Sequence, residues 1–215
     1  RDAAPPMELA GVCRALAADS GVRAIIVRTE GSPGGVAVPA GGQAVADCFR
    51  SLPIPVIAVV DGHCGAAVAE ALLGADVRVG DRAASLELEG AATAGAHQRV
   101  AEVGGDEAVR AASVPGGDDC GLLRRSDDPT ATVAALAAMI ASRSPDSVAA
   151  TKALFNRTWH ATEVASLAEE TLLQNELLLS YNQIAASVRS VKIPLLARLM
   201  SYRSRRHAWL DAART

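Results

Sequence analysis

Residues 53–78, PIPVIAVVDGHCGAAVAEALLGADVR, limit the fold more than any other stretch of this chain. Val56–Val60 is an unbroken apolar, mostly β-branched run, the pattern of a strand covered on both faces. Pro53 and Pro55 end whatever precedes it, and Asp61-Gly62 turns the chain. Residues 64–74 then read as a helix whose first turn holds only very small residues, and 75–79 as another strand. Strand, helix and strand within so few residues call for a parallel crossover, the repeating unit of an α/β protein.

The flanking sequence extends this alternation. Residues 6–19 place Met7, Leu9, Val12, Cys13 and Leu16 at near-helical spacing, and Gly21 ends that helix. Residues 22–28 read as a buried strand, 30–42 as a Gly/Pro loop and 43–51 as a short helix. Residues 85–89 (SLELE) alternate like a half-buried strand. Residues 95–112 read as helix, broken at Gly104-Gly105, and 113–128 as loop, with Gly121–Leu123 its one strand candidate. Beyond this the chain is helical. One helix covers 129–142. A second starts at Ser144, with Pro145 at its first position and Asp146 in its first turn. A third runs from Thr162 to Tyr181, and more helix flanks Pro194. The expected organisation is an α/β core over 1–128 and a helical region over 129–215.

Composition excludes several classes. Half of the 215 residues are apolar and 21% are charged, a globular balance that rules out a disordered chain. A net charge of −3 argues against a nucleic-acid-binding protein. Apolar runs fall short of the roughly 20 residues a bilayer span needs. Cys13, Cys48, Cys64 and Cys120 form no CxxC or zinc spacing, so free thiols in a reducing cytoplasm are expected. His97, His160 and His207 have no ligand spacing, and no metal is expected. GxSxG, Walker and GxGxxG motifs are absent, which disfavours serine hydrolases, NTPases and dinucleotide enzymes. The chain opens Arg1-Asp2 without Met or a signal-peptide pattern, leaving room for a natural N-terminal piece ahead of it.

Chemistry concentrates at the start of the 64–74 helix. Gly65, Ala66 and Ala67 leave main-chain N–H groups uncovered, which suits an anion or a developing oxyanion. Glu70, three residues after Ala67, lies on nearly the same face. A donor and a carboxylate together suit a thioester becoming an enolate while a proton moves nearby. The competing reading is structural: small residues for tight helix-on-sheet packing, and Glu70 on a solvated face.

The same residues resemble the crotonase, or enoyl-CoA hydratase/isomerase, family. Pro55–Gly62 reads PVIAVVDG against that family's PVIAAVNG, Glu70 falls on its glutamate without a gap, and Ala75–Arg78 reads ADVR against CDxR. Val22–Gly31, Gln98-Arg99, 143–156 and Leu173–Gln183 resemble further family segments in order. The resemblance implies an α/β fold, a repeated ββα spiral core with a C-terminal helical region that builds a homotrimer, often paired into a hexamer. It implies an acyl-CoA substrate, with coenzyme A entering as part of that substrate and no separate cofactor. The Ala67 amide and that of Val38 would form the oxyanion hole. Gly65, Ala66 and His63 would line the substrate, and glutamates would handle protons.

Two stretches depart from the family. Its first oxyanion loop usually reads FxAGxD, whereas 36–41 is VAVPAG, with Pro39 at a Gly position and no Asp following. The second catalytic glutamate, about twenty residues after the first, falls on Gly90 in an ungapped count. Glu87 and Glu89 lie just before it, and the Pro-Gly turn expected next is replaced by GAATAG. The second carboxylate is therefore Glu89, Glu87 or lost. A sister activity in the same pocket, isomerisation or thioester hydrolysis, and a non-catalytic CoA-ester binder or partner-supporting scaffold are the alternatives. His63 is expected to pack, and Cys64 to be a small buried residue. The Leu run at 172–179 is expected to be buried, at a subunit interface. The basic tail from Arg189 onward, with Lys192, Arg198, Arg203, Arg205, Arg206 and Arg214, reads either as a solvated helix face or as a contact for CoA phosphates.

Overall fold

The computed structural model describes residues 6–29, 42–87, 122–178, 180–190 and 200–205. These form α1 (Pro6–Ala18), β1 (Ile25–Arg28), α2 (Gly42–Ser51), β2 (Val56–Val60), β3 (His63–Cys64), α3 (Ala66–Leu72), β4 (Val77–Gly80), β5 (Ser85–Leu86), β6 (Arg124–Arg125), α4 (Pro129–Ala141), α5 (Pro145–Thr158), α6 (Glu163–Leu178) and α7 (Tyr181–Ser190). Two compact units emerge. The first falls within 1–16, 25–51 and 56–136, the second within 17–24, 52–55 and 137–215.

The first unit is built on a parallel sheet of order β1-β2-β4-β6. β2 lies inside it, with Ile57 opposite Ile26 of β1 and Val77 of β4. All five β2 residues are buried, as their continuous apolar run requires. Among the described strands β1 ends this sheet, and Ile26 is half exposed. A second, two-stranded sheet pairs β3 with β5 in parallel, His63 opposite Ser85 and Cys64 opposite Leu86.

Helices α2 and α3 pack backbone to backbone. A Cβ on Gly74 would lie 2.3 Å from the Ala46 carbonyl oxygen, so only glycine fits. Arg78, 5% exposed, fixes the end of α3. Its guanidinium donates to the carbonyls of Leu72, Ala75 and Leu122, and burial lowers its pKa to about 10. Asp76 accepts the Val56 amide at 2.7 Å. The ADVR stretch thus works as a clamp between the helix and the sheet.

In the second unit, the Ser144 side chain accepts the Ser147 amide and caps α5, as the Ser-Pro-Asp pattern predicts. Ala149, Ala150 and Leu173 form its core, with Leu154 and Leu177 against them. Asp146 is buried and accepts from Asn182 at 2.8 Å, while Asn182 in turn accepts the Arg203 amide.

Several expectations are corrected. Among the α1 residues whose burial is described, Cys13 and Ala17 are buried while Val12 and Leu16 are exposed, so those two large residues do not mark its inner face. The short strand expected at 121–123 forms at Arg124–Arg125, where the pairing partners Val79 and Gly80 end β4. Residues 63–64 pair as β3 before the helix begins. The helix expected over 162–181 breaks near Ser180, whose side chain and carbonyl meet the Gln183 amide and start α7. Of the Leu run, expected at a subunit interface, Leu173 is buried within the chain itself, whereas Leu172 and Leu178 are 62% and 63% exposed on the single chain. In the basic tail, Arg205 is buried and donates to the Ala17 and Val22 carbonyls, so it is no part of a solvated face. Arg203 and Arg189 stack over Tyr181 and Tyr202. The helix expected at 95–112, the loop at 30–41, Pro194, Cys120, His97 and His207 lie outside the described residues.

Candidate active site

The turn leading into α3 is set by Thr29 and Gly62. Gly62 has φ 66°, a left-handed conformation that favours glycine. The buried Thr29 hydroxyl donates to the Val59 carbonyl at 3.3 Å and accepts the Asp61 amide at 3.0 Å. The Cys64 thiol faces the same oxygen at 3.5 Å. Burial raises the Cys64 pKa, so it stays a protonated thiol and not a nucleophile, as its small buried setting implied.

At the start of α3 no side chain caps the helix. The Gly65 carbonyl accepts the amides of Val68 and Ala69. The Ala66 and Ala67 amides have no hydrogen-bond acceptor among the described residues, and both residues are part-exposed. Among the described residues, the donors that the sequence singled out are therefore not taken up by another group.

Two carboxylates flank this point. Glu70 is only partly exposed and packs beside Gly42 at the start of α2. A Cβ on Gly42 would lie 2.5 Å from the Ala67 carbonyl oxygen and 3.0 Å from Glu70 Oε2. Glu70 is thus held against main chain and is not aimed into bulk water. Glu87 lies near Gly65. Its Oε2 is 3.4 Å from the place a Gly65 Cβ would take.

His63 does not pack into the interior, which corrects the sequence reading. Its side chain is 55% exposed, with Nδ1 2.9 Å from Ser85 Oγ and Nε2 3.6 Å from Glu87 Oε2. The β3–β5 register explains this. His63 faces Ser85, and the alternation of 85–87 puts Glu87 on the same side as Ser85. The pattern SLELE carried that signal, but nothing in the sequence tied it to His63. Gly42 was likewise missed, being read as the last residue of a loop. Val38 and Glu89 lie outside the described residues, as does Gly90. Among the described residues, no group of three His, Cys, Asp or Glu side chains could hold a metal ion, and no helix is long and apolar enough to cross a membrane.

No protein-family model matches the chain, and no curated protein matches it in sequence. Solved structures do match. An enoyl-CoA hydratase from Mycobacterium smegmatis superposes with a TM-score of 0.72 at 20% identity, covering 94% of this chain and 88% of the other. An enoyl-CoA hydratase from Polaromonas sp. JS666 gives 0.71 at 21% identity over 90% and 87%. One from Bacillus anthracis gives 0.70 at 18% identity over 87% and 84%. The chain has the crotonase fold, as the resemblance implied.

Proposed function

We propose that this chain is a divergent member of the enoyl-CoA hydratase/isomerase family and acts on acyl-CoA thioesters, most simply adding water to a trans-2-enoyl-CoA. The observation that carries this reading is the pair of amides at Ala66 and Ala67 with no acceptor among the described residues, on a helix start whose Gly65 lies near Glu87 and which carries Glu70 one turn on. The fold shared with enoyl-CoA hydratases supports it.

The thioester oxygen accepts the Ala67 N–H, and by resemblance that of Val38. Water adds to C3 of the substrate, the electron pair of the double bond moves toward the carbonyl, and negative charge collects on that oxygen. Glu70 positions or deprotonates the water. A second carboxylate, Glu89 or Glu87, supplies the proton to C2. Because the donors are main-chain groups, Ala at 66 and 67 retains them while its methyl groups narrow the approach. Coenzyme A enters only as part of the substrate. The exposed Val164, Leu167, Leu172 and Leu178 support assembly into a homotrimer or a hexamer, and free thiols fit a cytoplasmic setting.

Crotonyl-CoA turnover by the parent and by Glu70→Gln tests this. Loss of a proton-handling group should lower kcat about a hundredfold. Equal activity of the two would remove Glu70 from the mechanism. Tight acyl-CoA binding without turnover across several substrates would mark a non-catalytic binder instead.

A further inference from the structure

The sequence left Glu87, Glu89 or neither as the second carboxylate; a cluster on β3 and β5 favours one of them. Ser85 Oγ lies 2.9 Å from His63 Nδ1. The other ring nitrogen, Nε2, lies 3.6 Å from Glu87 Oε2. The same Oε2 lies beside Gly65, one residue before the uncovered amides. The β3–β5 ladder fixes the spacing: the Ser85 amide donates to Gly62 at 2.9 Å and the Glu87 amide to Cys64 at 2.8 Å. All three side chains are part-exposed, so without such a pairing each would sample several rotamers. His63 thus stands between the Ser85 hydroxyl and the Glu87 carboxylate.

We propose that Glu87 is the second carboxylate of the site, and that His63, oriented by Ser85, is its positioning residue. This rests on the acyl-CoA reading above and deepens it. Holding the carboxylate in place raises the fraction of encounters in which it reaches C2 of the substrate, an effect on kcat and not on binding. In the hydration it delivers one proton to C2 as the carboxylic acid and is left as the carboxylate, while Glu70 takes one proton from water; proton exchange with solvent then returns both groups to their starting states.

The test compares crotonyl-CoA kinetics of the parent, Glu70→Gln, Glu87→Gln, His63→Ala, His63→Gln and the double variant His63→Ala/Glu87→Gln. Glu87→Gln should lose about a hundredfold in kcat. His63→Ala should lose about tenfold in kcat with KM within roughly twofold. His63→Gln, whose amide reaches the Nε2 position, should recover part of that loss. The double variant should be no slower than Glu87→Gln alone, because a positioning residue has nothing left to position. Losses that multiply, or full activity in Glu87→Gln beside a dead Glu70→Gln, overturn the assignment while leaving the acyl-CoA reading intact. A Ser85→Ala variant as inactive as Glu87→Gln, in a parent that releases free CoA, would mark Ser85 as a nucleophile and also overturn it. A parent with no turnover ends the acyl-CoA reading and the catalytic role together. The pairing is then decided by ¹⁵N-histidine spectra: an Nε2–H tautomer of His63 in the parent that is lost in Ser85→Ala supports it, and an unchanged spectrum refutes it.

Discussion

Strand β2 and helix α6 are both rich in large apolar residues, yet they meet opposite fates. Every residue of β2 is at most 1% exposed. In α6 Leu173 is buried, while Val164, Leu167, Leu172 and Leu178 are 56–79% exposed. A strand inside a parallel sheet gains neighbours on both edges through its own hydrogen-bond ladder and covers on both faces through its crossover helices. A helix is satisfied within its own backbone, and one stripe suffices to dock it. Apolar residues beyond that stripe are available to something else. Apolar content therefore reports burial within the chain for β2, and apolar residues left on the surface for α6.

Matched charge insertions would break that contrast most sharply. Val59→Asp buries a carboxylate without a partner in the middle of β2, and should cost about 4 kcal/mol or leave the protein insoluble. Urea unfolding followed by circular dichroism measures it, and a stable, soluble variant would mean β2 is less enclosed than described. Next comes Gly74→Ala, which drives a methyl group into the Ala46 main chain where α2 and α3 touch. About 3 kcal/mol should be lost in the same assay. A neutral result would show that the two helices separate easily, as α6 would tolerate. The smallest effect on the folded chain belongs to Leu172→Asp, within about 0.5 kcal/mol. Its signature lies in sedimentation, where the parent's assembly should shift toward the monomer. Unchanged sedimentation would mean that this face serves no self-association.

The contrast also explains what could be read in advance. Val56–Val60 was legible as a strand to the residue, because no other structure accommodates a β-branched apolar run between Pro55 and Asp61-Gly62. Ser144-Pro145-Asp146 announced the start of α5, because capping is a local interaction. Glu70 and Ala67 shared a helical face by spacing alone. Leu172 and Leu173 are adjacent, chemically identical and opposite in exposure, which only the packing partners of α6 could decide.

What the sequence determined by itself was local: where main-chain geometry turns, which stretches pair or coil, and that an unshielded helix start carries an acid three residues on. Tertiary structure decided every fact that joins residues distant along the chain. It brought Gly42 against Glu70, set Ser85 opposite His63 and carried Glu87 to Gly65. The physical reason is that strand register is fixed by the whole sheet, and a shift of one residue would turn Ser85 and Glu87 together away from His63.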